Sequence, residues 1–151
     1  MTGTRAEEAH ELTSALGDVT ALTREDVAIV YLDVATDVES IQAGWPEFES
    51  KFTSLRGRSL MAAVYPERGV YRLATVMRGD DDPDSLGLRM GLLPGGPYLR
   101  ISLKGETLHV HREIGHAFNE LHGMAEYDPS RPCLEVYRSP TQVDCFLPIL
   151  G

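Results

Sequence analysis

Lysine is nearly missing from this chain. Among 151 residues only Lys51 and Lys104 are lysines, and the formal net charge is −9. A phosphate-binding surface needs clustered lysine and arginine, so direct binding to nucleic acid is not expected. The acidic field suits a small cation, or a basic patch on a protein partner. No apolar run approaches the roughly 18–20 residues that span a bilayer, so no membrane partner is expected. The first residues, Met1 to Glu8, lack the apolar core of a signal peptide, which points to a cytoplasmic protein. Cysteine is scarce too. Cys133 and Cys145 form neither a Cys-x-x-Cys pair nor a Cys/His zinc spacing. They read as two reduced, half-buried thiols facing each other across a C-terminal hairpin centred on Ser139.

Cofactor signatures are missing as well. There is no glycine-rich phosphate loop, dinucleotide fingerprint, or Ser or Cys nucleophile motif, so no cofactor is expected. His111 and His116 nearly mimic a zincin helix, but zincin histidines stand four apart and these stand five apart. With His109, His122 and Glu113 they read as solvated helix residues. The acidic run over 79–85 lacks the central glycine and final glutamate of an EF-hand, and reads as a solvated loop. No metal site is expected.

What is present is an ordinary globular composition, 42% hydrophobic and 25% charged, at a length that suits one domain. Residues 1–25 read as an N-terminal extension or short helix, with Ala9, Leu12, Ala15 and Leu16 on one face and Gly17 ending it. From residue 26 to 151 the periodicity is clear. A strand over 27–34 precedes a helix over 40–55, whose stripe is Ile41, Trp45, Phe48, Phe52 and Leu55. Pro46 either starts the main part of that helix or kinks it, and Gly57 ends it. Strands follow over 59–65, 70–77, 86–92 and 98–103. A second helix over 107–122 carries Val110, Ile114, Ala117, Phe118 and Leu121, and a hairpin closes the chain. Strand–helix–strand–strand thus occurs twice, in element order rather than residue identity. The expected fold is α+β: a duplicated β-α-β-β module with an antiparallel sheet, two helices on one face and a ligand groove on the other. The two half-modules would be related by a pseudo-twofold axis, where ligand sites favour the internal interface.

The final hairpin holds one chemical oddity. Glu135 sits in the middle of the otherwise apolar strand Cys133-Leu134-Glu135-Val136-Tyr137. A buried charge is expensive unless it is paired, neutralised or used. By strand alternation Glu135 shares a face with Cys133 and Tyr137, while Leu134 and Val136 point towards the helices. If the carboxylate pointed into the helix-packed layer instead, a small-molecule role would fail.

Four stretches in order resemble the GyrI-like small-molecule-binding domain, the effector-binding domain of multidrug-sensing transcription regulators. They are Leu92-Leu93-Pro94-Gly95-Gly96-Pro97-Tyr98, Leu103-Lys104-Gly105-Glu106, Arg131-Pro132-Cys133-Leu134-Glu135-Val136-Tyr137 and Phe146-Leu147-Pro148-Ile149. The resemblance covers nearly the whole chain from Asp26. It implies a groove-facing acid at Glu135 that meets cationic ligands, with Tyr137, Tyr71, Tyr98, Trp45 and Tyr65 as candidate aromatic lining. For Trp45 a place in the core is the competing reading; for the tyrosines it is packing on the sheet. The function implied is a stand-alone module that sequesters or senses small lipophilic compounds, cations among them. One alternative is hydrolysis of cyclopropane-bearing genotoxic natural products, with Glu135 activating water; a partly desolvated glutamate is a better base. Another is a protein-interaction module such as a topoisomerase inhibitor. The chain could act as a monomer or a homodimer.

Overall fold

The structure is a computed structural model and describes residues 13, 14 and 16–151, with side chains from residue 16 onward. Ala9, Leu12 and Ala15, on which the short N-terminal helix was expected, lie outside the described residues. In chain order the elements are β1 (Thr13–Ser14), β2 (Gly17–Arg24), β3 (Val27–Val34), α1 (Val38–Ser50), β4 (Leu60–Tyr65), β5 (Val70–Val76), α2 (Pro83–Leu86), β6 (Arg89–Leu93), β7 (Gly96–Lys104), α3 (Thr107–His122), β8 (Cys133–Ser139) and β9 (Gln142–Pro148). Among the described residues the strands form one antiparallel sheet in the order β1-β2-β7-β9-β8-β4-β5-β3-β6.

The order makes the duplication visible. On either side of the β8–β4 pair the sheet runs β8-β9-β7-β2 and β4-β5-β3-β6, so the two halves mirror each other. Each half contains the expected strand–helix–strand–strand unit, and each is flanked by one more strand. The flanking strands are exchanged. β2 precedes the first unit in sequence but pairs with β7 of the second, and β6 precedes the second unit but pairs with β3 of the first. The expectation of an extension over 1–25 is corrected accordingly, since Gly17–Arg24 is a full strand of the sheet. Its alternation is irregular, with Val19 buried and Leu22 half-buried among Thr and Asp, so the sequence hides it.

The two exchanging links, Glu25-Asp26 and Pro94-Gly95, cross in contact with each other. There the Gly95 amide donates to Asp26 Oδ1 at 2.6 Å. A Cβ on Gly95 would lie 2.3 Å from the Arg24 carbonyl oxygen and 2.7 Å from the Asp26 nitrogen. Two backbones in contact leave room for glycine alone.

α1 begins at Asp37, whose carboxylate accepts from the Ser40 amide at 2.9 Å, and carries Pro46 internally. It ends at Ser50, earlier than the stripe to Leu55 suggested, because tight turns at Lys51 and Phe52 close the last carbonyls. α1 packs over β3 and β5, and α3 packs over β7 and β9. Phe48 of α1 packs with Val30, Ala62, Tyr71 and Leu73 of the sheet, and Val110, Ala117 and Leu121 of α3 pack with Leu99, Ile101 and Val143. Gly44 lets α1 sit close, for a Cβ there would come within 2.7 Å of Val34 Cγ1 and 3.1 Å of Leu73 Cδ1. Gly44→Ala should therefore destabilise the domain by about 1–2 kcal/mol despite alanine's higher helix propensity. Chemical denaturation measures this, and the emission of Trp45, the sole tryptophan, should shift as α1 is pushed outward.

The opposite face of the sheet is filled by its own side chains: Ile29, Met61, Ala63, Tyr98, Leu134, Val136 and Phe146 are all buried there. Arginines lie across its aromatic rings, Arg24 over Phe146 and Arg131 over Tyr98, each at 4.8 Å, and Arg72 over Tyr31 at 3.9 Å. The acidic loop is also more than a solvated loop. Asp81 is nearly buried, pairs with Arg58 at 2.6 Å and accepts the Arg78 amide at 2.8 Å.

Candidate functional site

The face assignment for the C-terminal strand is reversed. Leu134 and Val136 belong to the face without helices, and Glu135 and Tyr137 point to the face that carries α1 and α3. A groove on the helix-free face is therefore corrected to one on the helix-bearing face. The expectation failed because it treated the helices as covering the whole face. They cover only its flanks, and the central pair β4–β8 forms the floor of a groove between them. Glu135 thus points to the helix side without lying under a helix.

The groove is a cleft of about 370 Å³ lined by Trp45, Glu49, Leu60, His111, Tyr137, Ser139 and Pro140. Thr107 Oγ1 donates to the Pro140 carbonyl at 2.8 Å, tying the start of α3 to the β8–β9 turn. That link brings His111, Ser139 and Pro140 to the same cleft. The Tyr137 ring stands at its base. Trp45 meets it edge-on with centroids 5.3 Å apart, and His111 stacks on it at 5.9 Å.

Beneath Tyr137 lies the acid. Glu135 is 9% exposed, and its Oε1 accepts hydrogen bonds from Tyr71 at 2.8 Å and from Tyr137 at 2.5 Å. The two phenol oxygens stand 3.4 Å apart. Burial pushes the Glu135 carboxyl above its ordinary range, against the two phenols and nearby His111, which favour the anion. Burial and the adjoining carboxylate drive both phenols upward, so each remains a donor. An acid held this way is a concealed carboxyl with aromatic rings above it.

The structure brings four of the six expected residues together: Glu135, Tyr137, Tyr71 and Trp45. Tyr98 and Tyr65 are not among them. Tyr98 packs against Phe146 under Arg131, and Tyr65 lies beneath Arg68 and Arg72. Each stands at the other parity of its strand, so its ring leaves from the helix-free face. His111, Glu49, Leu60, Ser139 and Pro140 were not anticipated. Two carried a signal: Glu49 is one helical turn beyond Trp45, and His111 flanks the core stripe beside Val110 and Ile114.

The two cysteines are free and buried, but they do not face each other. The turn falls at Pro140-Thr141 with a register shift between Tyr137 and Ser139, so Cys145 stands opposite Glu135. Burial raises the Cys133 thiol to about 11.

No family model matches the sequence, and no curated protein is detectably similar to it. Solved structures do match over nearly full length. One is SAV2435 bound to tetraphenylphosphonium, with a TM-score of 0.60 at 14% identity, covering 88% of this chain and 94% of that one. A second is a bacterial transcription regulation protein from Staphylococcus aureus, TM-score 0.61 at 11% identity, covering 89% and 99%. These matches show the fold, and it is the one that the GyrI-like resemblance implied. A third is a hydrolase from Listeria innocua, TM-score 0.51 at 13% identity, covering 95% and 96%. No helix among the described residues is long and apolar enough to cross a membrane.

Proposed function

We propose that this chain binds small lipophilic cations in the groove between α1 and α3, sequestering or sensing them. The observation that carries the reading is the buried Glu135 carboxylate beneath the aromatic floor of an acidic cleft. Arg and Lys are absent from the lining, where His111 is the one basic side chain. The rings of Trp45 and Tyr137 offer apolar area and a negative face, and Glu135 adds a charge screened by little water. Tyr71 and Tyr137 hold that charge in place. The structure of SAV2435 with tetraphenylphosphonium supports the ligand class.

Tetraphenylphosphonium at about a hundredfold excess over Kd should raise the melting temperature by roughly 5–10 °C. It should also quench Trp45. Glu135→Gln keeps the shape and an acceptor for both phenol donors but removes the charge, and should abolish the shift. An unchanged shift in that variant removes Glu135 from the site, and no shift in the parent with any lipophilic cation overturns the reading.

Hydrolysis is the second reading, favoured by the raised Glu135 carboxyl and by the Listeria innocua hydrolase of the same fold. It predicts that mass spectrometry finds a cyclopropane-bearing compound consumed by the parent and intact with Glu135→Gln. Binding without chemistry leaves the compound intact in both.

A further inference from the structure

The cleft contains a second carboxylate. Glu49 lies on α1 one turn beyond Trp45, half-buried in the cleft wall, and forms no ion pair among the described residues. The nearest lysine in sequence, Lys51, turns its ammonium away towards Gly87. Glu49 and Trp45 are four residues apart on one helical face, which sets their Cβ atoms roughly 6 Å apart.

The geometry points to Glu49 as a specificity-determining residue that selects ligands carrying an ammonium group beside the lipophilic cation. This rests on the groove reading above and narrows its ligand class. A bulky cation on the Trp45 and Tyr137 rings, over Glu135, would extend any substituent along α1 towards Glu49. A hydrocarbon substituent would strip water from that carboxylate and give nothing back, which costs binding energy. An ammonium at that point would restore a charge-assisted hydrogen bond in a partly desolvated setting. Selection thus works by attracting the amine and by disfavouring the bare alkyl chain. His111 and Ser139 also line the cleft, but His111 stacks on Tyr137 and Ser139 Oγ accepts from the Thr141 amide in the β8–β9 turn.

Two probes differing in one group decide the matter: (3-aminopropyl)triphenylphosphonium and butyltriphenylphosphonium, titrated against Trp45 fluorescence at low salt. The parent should bind the ammonium probe about fivefold more tightly, in line with one favourable ion pair of about 1 kcal/mol. Glu49→Gln should bring the two probes to the same affinity, and added salt should narrow the gap in the parent. Equal affinities in the parent, or a preference that survives Glu49→Gln, overturn the role of Glu49 while leaving the groove reading intact. If neither probe binds the parent, the groove reading falls and this inference with it.

Discussion

Glu135→Gln should give a protein more stable at neutral pH than its parent, by about 1 kcal/mol, and one that no longer loses stability as the solution leaves the acid range. Burial raises the Glu135 carboxyl from its ordinary value of 4.5, so the folded chain holds this proton to a higher pH than the unfolded chain does. The stability linked to that proton is complete below the unfolded value. It is lost as pH rises through the folded value, because the fold must then carry a buried anion. Tyr71 and Tyr137 reduce the loss by donating to the anion, but burial outweighs them. Glutamine keeps an acceptor for both phenols and never ionises. Urea denaturation of parent and variant from pH 4 to 8 provides the check. The parent should lose ground to the variant as pH rises, and parallel curves would show that the Glu135 carboxyl is not raised. A side chain that weakens its own fold and can be improved by one isosteric change is kept for something other than folding.

Gly95→Ala should have the largest effect on the fold itself, at least about 3 kcal/mol. Its methyl would meet three backbone atoms of one link, the Arg24 carbonyl oxygen, the Glu25 carbonyl carbon and the Asp26 nitrogen, and backbone cannot rotate out of the way as a side-chain tip can. Relieving the contact means separating the two crossing links, and with them the 2.6 Å bond from the Gly95 amide to Asp26. The urea midpoint should fall steeply. A variant as stable as the parent would mean that the crossing is looser than drawn.

Both helices and their buried stripes were legible in the sequence, since Trp45 and Phe48, or Val110, Ala117 and Leu121, recur at helical spacing. The duplication was legible in the order of elements, and the strained economics of one acid among Cys133, Leu134 and Val136 singled out Glu135 directly. Two things were not. β2 has no clean alternation, because as an outer strand it buries little beyond Val19, so its residues carry a faint signal. The side of the sheet to which Glu135 points could not be deduced either. Alternation states which residues share a face, and only the lateral placement of helices over β3, β5, β7 and β9 states which face is open at its centre. Tyr98 and Tyr65 were misplaced for the same reason: aromatic character marked them, but strand parity sent them to the helix-free face.

The exchange of β2 and β6 bears on how the chain comes into being. Val19 finds its partner Ile101 only after most of the chain has been made, and Val27 waits for Leu93. Neither repeat can complete its own sheet, and the distant pairings it needs are of the kind that make β topologies slow to fold. Joined end to end, the repeats have the arrangement of a domain-swapped pair in which two half-sized chains trade their first strands. The groove at their junction then has no independent existence in either half, and the site forms only when the trade is complete.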